Sequence, residues 1–152
     1  MTDEIIYEMK DKCALKMVKI ISDFQFLEQE LKSHISNKYE TIRTIVNGKV
    51  PFNFSERNLS KKTLGSLVIE LSNVSDNYQL IEELRNIVPS RNEIAHERFM
   101  NISQTNDKAY LSETFSWLCS LDRDIQSIFL HHITESANNF IAYSDALKKS
   151  ND

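Results

Sequence analysis

The stretch Pro89-Ser90-Arg91-Asn92-Glu93-Ile94-Ala95-His96-Glu97-Arg98-Phe99 concentrates more reactive side chains than any other part of the sequence. Arg91 supplies a permanent cation with a planar fork of donors, and His96 an imidazole that exchanges protons near neutral pH. Asn92 lies four residues before His96, so on a helix the two share a face and the amide can bond the ring and choose its tautomer. Arg91 lies five residues before His96, about 140° around an ideal helix, and must reach round from the first turn. Ile94, Ala95 and Phe99 define an apolar side with His96 on its border, which suits a groove or a subunit interface better than open solvent. The bland alternative is a border histidine bonded to a carbonyl, with Arg91 in a surface ion pair.

Folding accounts for other residues of the stretch. Pro89 disfavours helical geometry at the residue before it and predicts a helix end at Val88. Ser90-Arg91-Asn92-Glu93 fits a capping box, in which serine bonds the backbone N–H three residues on and glutamate reaches back. Glu93 then has a structural job. Arg91 becomes the first residue of a new helix, where a cation at the positive end of the helix dipole costs a few tenths of a kcal/mol. A local rule broken without visible compensation marks a candidate for function.

Other candidates carry less. His131 and His132 are adjacent and point about 100° apart, so they cannot chelate one ion as a helical i,i+4 pair would. His132 falls on an apolar face and reads as a core or interface histidine. Trp117 and the phenylalanines at helical spacing read as core before they read as a stacking platform. Lys61-Lys62 do not by themselves make an anion site. No phosphate-binding glycine loop, zinc spacing or serine-hydrolase elbow occurs. Cys13 and Cys119 have no CxxC spacing and read as reduced cysteines.

The elements that must position the motif are helical. Ile5, Ile6, Met9, Cys13, Met17, Ile20, Ile21, Phe24, Leu27, Leu31 and Ile35 recur at three- and four-residue steps and predict a helix from Asp3 to about Val46, capped by Thr2 or Asp3. Unbroken it would extend roughly 65 Å, against about 40 Å for a compact domain of this length. The expectation is a break near Ser33–Asn37, or a projecting helix covered by another subunit. Asn47-Gly48 is read as a helix C-cap in preference to a hairpin turn, followed by a loop whose Phe52 and Phe54 tuck onto the bundle. Ser60 is a natural N-cap for Lys61–Ser72, Asn73–Asn77 a polar break, and Tyr78–Val88 a short helix ended by Pro89. After the motif helix comes a polar loop over Asn101–Lys108. A second long helix runs from Ala109 to about Lys148, with Leu111, Phe115, Leu118, Leu121, Ile125, Ile128, Phe129, His132, Ile133, Phe140 and Ile141 on its periodic apolar positions. Two long helices bracketing shorter ones predict an all-α, up-and-down helical bundle, with residues 1–152 as a single domain.

Bulk properties agree. The chain has 152 residues, only two glycines and two prolines, 41% hydrophobic and 26% charged residues, and a formal net charge of −4. Acids and bases number eight and eight over residues 1–50, seven and six over 51–100, and seven and four over 101–152. No block is basic enough to announce nucleic-acid or membrane binding by charge alone. No run of 18 apolar residues is present, and the acidic Met1-Thr2-Asp3-Glu4 is unlike a signal sequence, so a cytoplasmic protein is expected.

Arg91-Asn92-x-x-Ala95-His96 at a helix start resembles the signature of the HEPN superfamily, whose ribonucleases carry arginine, four to six residues of which the first is usually polar, then histidine. Leu64-Gly65-Ser66-Leu67, followed by a short helix ending in Leu84-Arg85-Asn86, is also similar to HEPN-type proteins. The order of long helix, shorter helices, motif helix and long helix covers most of the chain loosely, while the specific part is six residues. The resemblance implies metal-independent cleavage of RNA by a homodimer whose two motifs face each other, with no cofactor and no membrane, in a toxin or phage-defence setting. It places Arg91 on the scissile phosphate, His96 in proton transfer, and Asn92 on His96 or a phosphate oxygen. Arg85 and Arg98 would be supplementary RNA contacts or plain surface charge, and a cognate antitoxin or other regulatory protein would be a partner. The competing expectation is a HEPN-like dimerisation or regulatory module without cleavage activity, which the acidic balance favours.

Overall fold

The computed structural model describes residues 2–150, with side chains from 3 to 149. The chain forms α1 (Thr2–Val46), α2 (Arg57–Ser60), α3 (Leu64–Ser72), α4 (Tyr78–Glu93), a π turn (Ile94–Arg98), α5 (Phe99–Gln104) and α6 (Lys108–Ser150). No strand occurs among the described residues, and the two long helices with short ones between them pack as a helical bundle, as the periodicity predicts. Packing resolves into two compact units. One comprises the chain up to Phe26 together with Asn86–Ser127, and the other Leu27–Arg85 together with the chain from Ile128 onward.

In the first unit Cys13, Met17, Ile20 and Phe24 recur along one line of α1 and are buried, as are Ile87, Ile94, Ile102, Leu111, Leu118, Leu121 and Ile125. Each such large aliphatic side chain contributes about 1.5–3 kcal/mol relative to exposure. Asp107 caps α6: its Oδ1 accepts the N–H of Ala109 at 2.9 Å and of Tyr110 at 3.2 Å. Lys10 donates to the Ser103 carbonyl at 3.2 Å and to Asn106 at 3.1 Å, which ties the connection before α6 to α1. Cys13 and Cys119 are free thiols, and the buried Cys13 thiol is pushed up by burial and by its neighbour Cys119.

In the second unit the core is Leu27, Leu31, Ile35, Leu59, Leu64, Leu67, Val68, Leu71, Leu80, Ile81, Leu84 and Ile128. The expected break at Ser33–Asn37 does not occur. His34, Ile35 and Ser36 are buried in mid-helix, and packing rather than propensity holds α1 together there. Asn47 (φ 39°) and Gly48 (φ 73°) end the helix in left-handed geometry, with Asn47 N–H donating to the Arg43 carbonyl at 3.0 Å. Phe52 and Phe54 do tuck in, half-buried against Tyr39, with ring centroids 5.9 and 4.0 Å away. The predicted start at Ser60 is wrong. Arg57–Ser60 makes its own turn and α3 begins at Leu64 after extended Thr63, because burying Leu59 and Leu64 sets the register. The cap expected at Thr2 lies outside the described side chains.

The largest departure is at Pro89. α4 runs through it to Glu93, with Leu80, Ile81, Leu84, Ile87 and then Ile94 buried. Proline costs about 3 kcal/mol in a helix interior, and the apolar row on both sides of it outweighs that local penalty. Pro89 itself is exposed. The capping box therefore never forms, since Ser90 sits in mid-helix. Helix also extends over Asn101–Gln104, where a polar loop was predicted, because Ile102 is buried.

Over its last third α6 reverses the expected polarity. His132, Glu135 and Asn139 are buried, whereas Leu130, Ile133, Phe140 and Ile141 are 59–71% exposed. The periodicity placed Ile133, Phe140 and Ile141 in the core, and the structure puts a polar row there instead.

Candidate functional site

Arg91 occupies the last turn of α4, not the first turn of a new helix. Helix continues without a break through the π turn and α5 to Gln104, so Arg91 stands at neither end of the dipole and the electrostatic oddity inferred from the capping box disappears. Arg91 is half-buried, while Asn92 and His96 are exposed. Of the residues assigned to packing, Ile94 is buried, but Ala95 and Phe99 face solvent, as does Met100. The site is thus a solvent-facing ridge at the α4–α5 junction.

His96 lies within the π turn Ile94–Arg98, a feature the sequence reading missed. A π turn closes i→i+5 hydrogen bonds and inserts a residue relative to the α-helix, so residues five apart move towards one face. The effect is visible in Glu93 and Arg98, whose side chains pair at 2.5 Å across five residues. Glu93 therefore braces the turn rather than a helix cap. Arg91 and His96 have the same five-residue separation, and the π turn takes up the last steps between them.

Arg98 is committed elsewhere. Besides Glu93, its guanidinium donates to Tyr110 at 3.2 Å and Thr114 at 3.5 Å, and its carbon lies 4.9 Å from the Trp117 ring centroid. Burial alone would lower its proton affinity; Glu93 and Tyr110 raise it overall, so the guanidinium stays charged. Arg98 thus clamps the π turn to α6. Trp117 is the face of that clamp and is half-buried. Arg85 is exposed, 3.8 Å from Glu82, and lies outside the unit that holds the motif.

A second cluster escaped the sequence reading except for His132, which is buried as expected. His34, His132 and Glu135 are 3–4% exposed, and the two imidazoles meet edge to face with centroids 5.1 Å apart. Glu135 accepts from Lys38 at 2.7 Å, Ser75 at 2.7 Å and Asn77 at 3.3 Å. Burial would raise the Glu135 carboxyl, but Lys38, Ser75 and Asn77 outweigh it and hold it down at about 2. His34 shares a hydrogen bond with Ser136 through Nδ1 at 3.2 Å, and its Nε2 stands 3.7 Å from Glu135, beyond hydrogen-bond reach. Burial, then His132 and Lys38, lower its proton affinity to about 4. Polar residues at 132, 135–136 and 139, facing 34, 38 and 41, recur at helical spacing, which is the signal that could have revealed this row. His131 is separate and pairs with Glu83 at 2.6 Å. No group of three or more His, Cys, Asp or Glu among the described residues is arranged to hold a metal ion, and none of their helices is long and apolar enough to cross a membrane.

Comparison of the chain with protein-family models, with curated proteins and with solved structures finds no match.

Proposed function

We propose that the chain is a metal-independent endoribonuclease of HEPN type, acting as a homodimer in a toxin or phage-defence setting. The observation that carries the reading is the π turn, which holds an exposed His96 five residues after Arg91, a separation that π geometry turns towards one face. π turns are rare and occur frequently at functional sites. In the reaction a ribose 2′-oxygen attacks the adjacent phosphorus and the bond to the 5′-oxygen breaks, leaving a 2′,3′-cyclic phosphate. One His96 takes the 2′-hydroxyl proton, and the second copy's protonated His96 gives one to the leaving oxygen. Arg91 holds the phosphate and stabilises the charge growing on its oxygens. Asn92 orients the ring or bonds a phosphate oxygen.

A second reading draws on Phe99 and Met100, both more than half exposed beside His96, and on the net charge of −4. Apolar groups on such a ridge suit a regulatory or dimerising module that binds protein and cleaves nothing. RNA cleavage in EDTA by the wild type, Arg91→Ala and His96→Ala separates the two. The ribonuclease reading requires cyclic-phosphate ends from the wild type and at least a ~100-fold loss in each variant. Equal cleavage by all three would mark a contaminant, and no cleavage of any RNA tried would favour the module.

A further inference from the structure

A groove between α1 and α6 in the second unit has a volume of about 350 Å³ and shares no residue with the motif at 91–96. Small-molecule sites occupy about 300–1,000 Å³, so this one matches a single ring and not a polymer. Hydrogen-bonding groups line both walls at successive turns: His34, Asn37 and Thr41 on α1, and Ser136, Asn139 and Tyr143 on α6. One of them is left incomplete. Asn139 is 8% exposed, and the one hydrogen bond its side chain makes among the described residues is with Thr41 Oγ1, at 3.5 Å. Thr41 gives its single proton to the Asn37 carbonyl at 2.9 Å, so it serves one end of the Asn139 amide at most. Asn139 therefore lines the groove with its other end unpartnered. A polar atom so nearly buried costs stability unless something in the groove bonds it.

Charge and shape select the occupant. No lysine or arginine lines the groove, so it lacks the cation that a phosphate or carboxylate needs. Its one carboxylate, Glu40, is already paired with Arg43 at 2.6 Å, and burial keeps His34 uncharged at neutral pH. No charge is left over for an ion of either sign, and the fitting ligand is neutral. Polar groups on both walls would meet the faces of a flat heteroaromatic ring. A saturated ring with hydroxyls around its edge bonds both walls at once. Each hydroxyl also both gives and accepts, so it satisfies the open end of Asn139 whichever way round the amide sits. Phe140, 71% exposed, and Tyr143 one turn on add aromatic surface from α6 for the C–H face of such a ring. We propose that this groove binds a neutral monosaccharide, with Asn37 and Asn139 bonding its hydroxyls and Phe140 covering its C–H face. The inference is independent of the ribonuclease reading, and an inactive motif would leave it standing.

Nuclear magnetic resonance of the isotope-labelled full chain, titrated with D-glucose, D-galactose and D-mannose to about 100 mM each, is the test. The expected result is a saturable shift of the Asn37 and Asn139 side-chain amides with at least one hexose, at a Kd of roughly 0.1–10 mM. Asn139→Ala should abolish it. Asn37→Ala and Phe140→Ala change exposed side chains, which keeps the fold, and each should weaken binding at least ~5-fold. No saturable shift with any of the three hexoses would overturn the proposal. So would hexose binding indifferent to both exposed-residue variants. Saturation of the same amides by adenosine and by no hexose would assign the groove to a flat base and equally overturn it.

Discussion

Replacing Lys38 with methionine removes the lysine paired with Glu135, a carboxylate that is almost completely buried. Lys38 Nζ lies 2.7 Å from Glu135, and its side chain is 17% exposed, so the pair is largely shielded from solvent screening. Methionine keeps the aliphatic stem and leaves Glu135 with the neutral donors Ser75 and Asn77. Two routes give the cost. Breaking one side of a buried pair costs about 3–5 kcal/mol. Separately, the carboxyl is held at about 2 against an ordinary value of 4.5, a gap equivalent to roughly 3 kcal/mol, of which Lys38 is the largest favourable cause. The sign with pH follows from linkage. In the wild type the folded value lies below the unfolded one, so this stabilisation is fully present above pH 4.5 and is lost as pH falls towards 2. Without Lys38, burial dominates and the carboxyl moves up, so Glu135 takes up a proton and the penalty shrinks on acidification. Urea unfolding followed by far-ultraviolet circular dichroism should show a loss of about 3 kcal/mol at pH 7.5 and a clearly smaller one at pH 5. A loss under about 1 kcal/mol, or one independent of pH, would refute the argument.

Two further substitutions test the clamp and the proline. Arg98→Leu should cost about 1–2 kcal/mol and change Trp117 emission, since it removes the Glu93 pair and the cation over the indole; unchanged emission would mean that the clamp does not form. Pro89→Ala should raise the thermal midpoint, with roughly 1–3 kcal/mol recovered as alanine restores an N–H to the helix; a lowered midpoint would show that the proline stabilises the junction. His34 adds a pH signature of its own. Its folded value of about 4 lies below the ordinary 6.5, so it contributes stability above pH 6.5 that falls away down to pH 4. His34→Gln should flatten stability over that window, as read from urea midpoints at half-unit steps of pH.

Sequence alone determined the helical class, the two long helices and their buried rows from Cys13 to Ile35 and from Leu111 to Ile128, because apolar residues at three- and four-residue steps leave a helix one way to pack. It also marked the α1 end at Asn47-Gly48, where left-handed geometry is set by the residues themselves. Local rules failed where distant partners were stronger. Pro89 reads as a stop until the row from Leu80 to Ile94 is buried across it. Glu93 reads as a cap until a π turn delivers Arg98 to it. Arg91, Asn92 and His96 stand out in the sequence by type and spacing, but the half-buried setting of Arg91 in α4 and the exposure of His96 on a π turn do not. The polarity of α6 was least legible of all. His132, Glu135 and Asn139 turn inward while Ile133, Phe140 and Ile141 turn out, and the helical spacing of the polar residues is the one local sign of it. The inward row is stable because Lys38, Ser75 and Asn77 arrive from other parts of the chain to satisfy the buried carboxylate, and only tertiary structure supplies them.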